Sequence, residues 1–243
     1  VVLPRLRTLP GASLHTILAD ASMGRDDVRR RFGFGRSVSE PAAVLRTKAV
    51  SLLLLLDRYA YDTDLICDAL LAGKVVLTEG PFVASHQALE RVMRAQAESC
   101  GVLQVGLHRR FAAIVVEAKA LLQARPGRRH VMIRANTGRT LVDLRGSFDM
   151  GDAEQVAKLP GDVGHFIDLA GHLVGAPITA VEAASPAGGE PYDDIAAQVH
   201  FADGSLATLA CTRFGDNAFS RETVEVFTDG LMLRLDNCRE LLV

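Results

Sequence analysis

Hydrophobic and polar positions follow two different rhythms along this 243-residue chain. In the first hundred residues, short apolar runs alternate with stretches of helical period. Ser13–Ala19 is apolar and follows the Pro10-Gly11 turn, and Asp26–Phe32 is a charged helical stretch stopped by Gly33. Ala49–Leu56 is an unbroken apolar run, the pattern of a strand covered on both faces. Asp62–Leu71 has helical period and ends near Gly73, Lys74–Thr78 reads as a second buried strand, Gln87–Ser99 as a helix and Val102–Leu107 as a strand. Strands alternating with helices of this length predict βαβ units in a Rossmann-like, doubly wound, mostly parallel sheet. Ligands of such sheets sit at the carboxyl ends of the strands, here Ala19-Asp20, Leu56-Asp57, Glu79-Gly80 and Leu107-His108.

After about Arg109 the rhythm changes. A helix over Phe111–Gln123 leads into an alternating segment, Arg129–Ala135, and a second helix spans Gly161–Val174. Strand patterns then follow one another: Ile178–Ala184, Ile195–Phe201, Leu206–Thr212, Thr223–Thr228 and Leu231–Leu235. Asp203-Gly204 and Asp229-Gly230 are hairpin turns of the Asp-Gly kind. This half therefore predicts an α+β domain with an open antiparallel sheet. The division falls at 1–108, the Rossmann-like half, and 109–243, the α+β half.

Composition narrows the function classes. Half the residues are hydrophobic (49%), ample for a packed core, and a formal net charge of -2 gives no electrostatic case for nucleic acid or an anionic membrane. No apolar run approaches the roughly 20 residues of a membrane span. Cys67, Cys100, Cys211 and Cys238 are far apart and form no CxxC pair, so a reducing, cytoplasmic setting is the expectation. The chain opens on Val1-Val2-Leu3 without methionine, and a natural start upstream of Val1 is expected.

Several local strings carry a more specific resemblance. Ala72-Gly73-Lys74-Val75-Val76-Leu77-Thr78-Glu79-Gly80-Pro81, Val105-Gly106-Leu107-His108-Arg109-Arg110-Phe111, Asp162-Val163-Gly164-His165-Phe166-Ile167-Asp168 and Phe201-Ala202-Asp203-Gly204-Ser205 occur in order. They resemble the AGKHVxxEKP, VGFNRRF, ExxHxxD and FADGS strings of the Gfo/Idh/MocA oxidoreductases, which use NAD or NADP to oxidise sugar or cyclitol hydroxyls. The resemblance implies a cofactor side around Asp20, Asp57, Glu79, Gly80 and Pro81, with Asp20 placed to accept hydrogen bonds from a ribose. It implies a substrate side with His165 and Asp162 as the acid–base groups and Arg109, Asn136 and His172 as substrate contacts. It also implies a homodimer or higher homo-oligomer.

The cofactor side departs from the family pattern. No glycine-rich turn joins a strand to a helix N-terminus, the feature that cradles a pyrophosphate. Gly33-Phe34-Gly35 follows a helix and reads as a C-cap and turn. Gly80 stands where the EKP lysine belongs and has no side chain to donate a proton or a charge. Asp57 and Asp62 fall near the positions of a family threonine and histidine, where carboxylates would repel phosphate. Lys74 matches the structural lysine of the motif and is expected at the surface.

The substrate side is better kept. Asp162, His165, Leu169 and His172 fall at i, i+3, i+7 and i+10, so they share one helix face. Imidazole suits acid–base work because it titrates near neutrality. A metal site on Asp162, His165 and His172 would have only three ligands, and none is expected. The expectation is a repurposed family member that keeps a sugar-like substrate cleft but has impaired NAD(P) binding. The alternatives are an active NAD(P)-dependent oxidoreductase, in which another group replaces the lysine, and a non-catalytic assembly subunit that supports a partner enzyme.

Overall fold

The computed structural model describes residues 2–19, 24–56, 59–60, 62–80, 82–83, 85–136, 163–185, 194–212 and 218–243. The chain forms two compact units, Val1–Val105 and Gly106–Val243.

The first unit begins with α1 (Val2–Leu6), β1 (Thr16–Leu18), α2 (Arg25–Phe32), β2 (Arg36–Val38) and α3 (Pro41–Leu45). It continues with β3 (Leu52–Leu55), α4 (Thr63–Leu71), β4 (Val75–Glu79), α5 (His86–Ala97) and β5 (Val102–Gly106). The helix boundaries have local causes. Asp62 caps α4 by accepting from the Leu65 N–H at 2.9 Å, and Ser85 caps α5 by accepting from Ala88 at 3.1 Å. Gly33 ends α2 in the left-handed conformation (φ 76) and returns its N–H to Arg29 O, so it is a C-cap as its sequence context suggests. Pro41 opens α3, where its missing N–H costs nothing.

β1 pairs with β2 and β3 with β4 in parallel, as the βαβ rhythm requires, but the strands lie in two pieces, β1-β2 and β3-β4-β5. One core serves both pieces. Leu53, Leu55 and Val76 from the strands meet Leu65, Ile66 and Leu70 of α4, Val92 of α5, and Val38 and Val44 from the other piece.

Two local expectations are corrected. The Ala49–Leu56 run supplies only a four-residue strand, and it is not covered on both faces, because Leu52 is 51% exposed. Among the described residues β3 pairs with β4 alone, so it is half as supported as a central strand would be. Lys74 is not a surface lysine. It is 7% exposed, and its ammonium donates to Val50 O at 2.7 Å and Thr47 O at 2.9 Å, closing the loop that enters β3. Loop carbonyls buried beside a sheet need donors, and this side chain provides them.

The second unit opens with a 3₁₀ turn, His108–Phe111, then α6 (Ala113–Gln123), β6 (His130–Asn136) and α7 (Val163–Val174). The strands β7 (Ile178–Ala184), β8 (Ile195–Phe201), β9 (Leu206–Thr212), β10 (Glu222–Thr228), β11 (Leu231–Asp236) and β12 (Glu240–Leu242) follow. They form one seven-stranded sheet in the order β12-β11-β10-β6-β9-β8-β7. It is open and antiparallel except for the β6–β9 pair, which is parallel, β6 being inserted between the successive strands β9 and β10.

One face of this sheet carries α6 and α7. Val115, Ala118, Leu122, Phe166, Leu169 and Leu173 pack on Val131, Ile133, Val199, Leu209, Val226 and Leu233. The alternation along β6 (exposed His130, Met132 and Arg134 against buried Val131, Ile133 and Ala135) is the period-two signature of a sheet with one covered face. Arg129 fastens both helix ends to the sheet. Its guanidinium donates to the carbonyls of Leu122, at the end of α6, and of Leu173 and Val174, at the end of α7.

A candidate acid–base site on the second unit

The sequence-predicted residues fall into three groups. Asp20, Asp57, Pro81 and Asp162 lie outside the described residues. Glu79, exposed at the end of β4, and Gly80, which follows it, are in the first unit. Arg109, Asn136, His165 and His172 are in the second.

His165 lies on the first turn of α7 and is 7% exposed, with Phe166 and Leu169 beside it in the core. Its ring meets the ring of His108 edge-on, with centroids 5.0 Å apart and planes at 60°. His108 is exposed and begins the 3₁₀ turn that follows β5. Two arginines hold that turn. Arg109 is buried and donates twice to Glu222 of β10, Nε to Oε2 at 3.2 Å and a terminal nitrogen to Oε1 at 2.5 Å. The same guanidinium lies 4.5 Å above the Phe166 ring. Arg110 makes a second forked ion pair with Asp168 of α7, one turn beyond His165. The turn is thus fixed to the sheet by one arginine and to α7 by the next.

Arg109 accordingly spends its charge on Glu222, which makes it an anchor for the turn. Asn136 ends β6, is 3% exposed, and its N–H donates to Arg221 O at 2.6 Å. His172 is half-buried two turns beyond His165. Burial, then the nearby cations Lys119 and Arg110, push its pKa below the usual imidazole value, so the neutral ring is favoured. Burial and Arg129 likewise lower Lys119. Among the described residues no group of histidines, cysteines and carboxylates could hold a metal ion.

Sequence reasoning placed His108 at a ligand-facing strand end without giving it a role, and passed over Asp168 and Glu222. The first two lie inside quoted motifs, and a histidine directly before a paired arginine at a strand end was the available signal. Glu222 had none, because its role depends on the 3₁₀ turn lying against the start of β10.

The comparisons with known proteins bear on the whole chain. No protein-family model matches it. Among solved structures, an oxidoreductase domain protein from Kribbella flavida superposes with a TM-score of 0.78 at 20% identity, over 96% of this chain and 68% of that one. Levoglucosan dehydrogenase, in complex with NADH and levoglucosan, superposes at 0.79 and 19% identity, over 98% and 69%. The WlbA dehydrogenase from Bordetella pertussis, in complex with NADH and UDP-GlcNAcA, superposes at 0.77 and 20% identity, over 95% and 72%. The chain shares its fold with these oxidoreductases and dehydrogenases. At these identities the likeness concerns the fold, and site chemistry rests on the residues themselves.

Three local features bear on how a dinucleotide could be held. Gly33 is a helix C-cap, so the Gly33-Phe34-Gly35 pair follows α2 and does not open a helix. The N-terminus of α4 is taken by the Asp62 carboxylate, an anion where a phosphate would need donors. Gly80 offers no side chain in place of the family lysine.

Proposed function

We propose that this chain is a repurposed relative of the Gfo/Idh/MocA oxidoreductases that binds a sugar-like, polyhydroxylated small molecule on its second unit and moves a proton there with His165. The buried His165 imidazole, held against His108, carries this reading. A ring so placed can take a proton from a hydroxyl and return it, and its surroundings give it one fixed orientation. Asp162 is its acid–base partner, and Asn136, His172 and the arginine turn frame the substrate. NAD or NADP use is impaired in this reading, supported by the Asp62 carboxylate at the N-terminus of α4 and by Gly80 in place of the family lysine.

Calorimetric titration with a panel of hexoses, inositols and sugar acids tests the site, alongside NAD(H) and NADP(H). Saturable binding of a polyol that disappears in His165→Ala, with the near-UV circular dichroism unchanged, is the expected result. Equal binding and turnover in the variant would sink the assignment.

A second reading, an active NAD(P)-dependent oxidoreductase of a sugar or cyclitol hydroxyl, is favoured by the neighbours solved with NADH. Saturable NAD(H) or NADP(H) binding with thermal stabilisation would carry it. The open sheet face supports a homo-oligomer, whether catalytic or an assembly subunit beside a partner enzyme. Met132 and Met232 are 42% and 45% exposed there, and Leu206 and Phe227 are half-buried on the same face. A reducing, cytoplasmic setting accords with four cysteines that form no disulfide.

A further inference from the structure

We propose that Lys119 is a nucleophilic amine that captures small aldehydes as a Schiff base, beside the last turn of α7. Lys119 reaches from α6, half-buried, and its nitrogen donates to Leu173 O at 3.4 Å. Arg129 already donates to that same oxygen at 2.7 Å and to Val174 O at 2.6 Å. Two cations thus share one carbonyl. The helix end needs only the guanidinium, since the Gly175 N–H closes on Gly171 O at 2.7 Å. Among the described residues Lys119 has no carboxylate partner. Glu117 is exposed and stands two positions earlier on α6, where side chains do not face one another. His165 and Leu173 lie two helical turns apart, about 12 Å along the axis, so the amine is a separate site from the proposed acid–base one.

An ammonium half out of water, beside a second cation and without an anion, gives up its proton readily. Burial first, and then the Arg129 charge, hold the Lys119 pKa below the usual lysine value. The neighbouring group on α7, His172, is itself held towards its neutral form, and Asp168 is taken up by Arg110. Gly175 leaves one flank of the amine bare. It has φ 81, and a Cβ there would lie 2.9 Å from the Lys119 nitrogen. A neutral lysine amine attacks carbonyl carbon. Its lone pair forms the C–N bond as the C=O π bond opens, the oxygen leaves as water with both amine protons, and a C=N bond remains. The narrow flank suits a short chain, such as an open-chain triose.

The test treats the whole chain with glyceraldehyde and cyanoborohydride, which reduces the Schiff base to a stable secondary amine. Adducts are quantified residue by residue by peptide mass spectrometry, from neutral to alkaline pH, in buffer and in urea. Lys48, which is exposed, and Lys74, buried on two carbonyls, are internal references. At neutral pH the folded chain should label Lys119 several-fold faster than Lys48, because each unit by which a lysine pKa falls raises its neutral fraction about tenfold. Lys74 should hardly react, and the Lys119 rate should level off at lower pH than the Lys48 rate. In urea the difference between Lys119 and Lys48 should vanish, since burial and the Arg129 contact are both lost. Lys119→Arg keeps the charge and should lose the adduct. Labelling of Lys119 no faster than Lys48 in the folded chain overturns the proposal and leaves Lys119 a helix-end donor. Polyol calorimetry reads the His165 site alone, so either idea can fail without the other.

Discussion

Substituting Glu222 by glutamine keeps its shape and deletes its charge, which leaves the Arg109 guanidinium without its carboxylate. The two side chains are 8% and 20% exposed and meet through two hydrogen bonds. Breaking a buried pair from one side costs about 3–5 kcal/mol, because the remaining charge stays desolvated. The Phe166 ring, 4.5 Å from the guanidinium, keeps on the order of 1 kcal/mol of attraction in the variant. The expected loss is therefore near the lower end, about 3 kcal/mol, or roughly a hundredfold in the folded-to-unfolded ratio of the second unit. Two units need not unfold together, so the assay is amide hydrogen exchange on β6 and β10, read beside urea melts. The Arg109→Leu/Glu222→Leu double variant should recover most of the loss, because hydrophobic replacement of a buried pair is often neutral. A loss under about 1 kcal/mol for Glu222→Gln, or a double variant as unstable as the sum of the singles, would refute the reasoning.

Gly101→Ala should destabilise the first unit by about 2–3 kcal/mol. The added Cβ would lie 2.6 Å from Leu70 Cα and 2.9 Å from its carbonyl carbon, backbone that cannot turn aside, and a thermal midpoint unchanged within a degree would contradict this. Asn237 and Cys238 both have left-handed φ (48 and 51) in the β11–β12 turn, so Cys238→Gly should stabilise by up to about 1 kcal/mol in urea melts. A loss would mean that the Cys238 thiol contact with Glu222 at 3.8 Å matters more than the backbone strain. The folded pKa of His172 is below its unfolded value, so unfolded chains bind more protons and stability falls as pH drops through about 6.5 towards that lower value. His172→Gln should flatten this acid limb between pH 7 and 5, and identical pH profiles for variant and wild type would exclude His172 as a source of it.

Much of the architecture was legible in the residues because it depends on local period. The bounds Ile178–Ala184, Ile195–Phe201 and Leu206–Thr212 read from alternation and Asp-Gly turns are those of β7, β8 and β9. Asp62 and Gly33 marked helix ends through capping chemistry that needs only near neighbours. Three-residue strands such as β1, β2 and β12 gave too few positions for a period; β2, α3 and β12 went unpredicted, and only an apolar run marked β1.

Tertiary structure decided whatever joins distant positions. Arg109 and Glu222 are 113 residues apart, and only the packing of the 3₁₀ turn against the start of β10 makes them partners. Lys74 looked like a solvated cation until the Thr47 and Val50 carbonyls were placed around it. His165 was visible as a candidate from its motif and helix face, but its companion was not. A 3₁₀ turn and a helix held by two ion pairs bring His108 to it, and charge placement of that kind follows from packing, which a linear pattern does not encode.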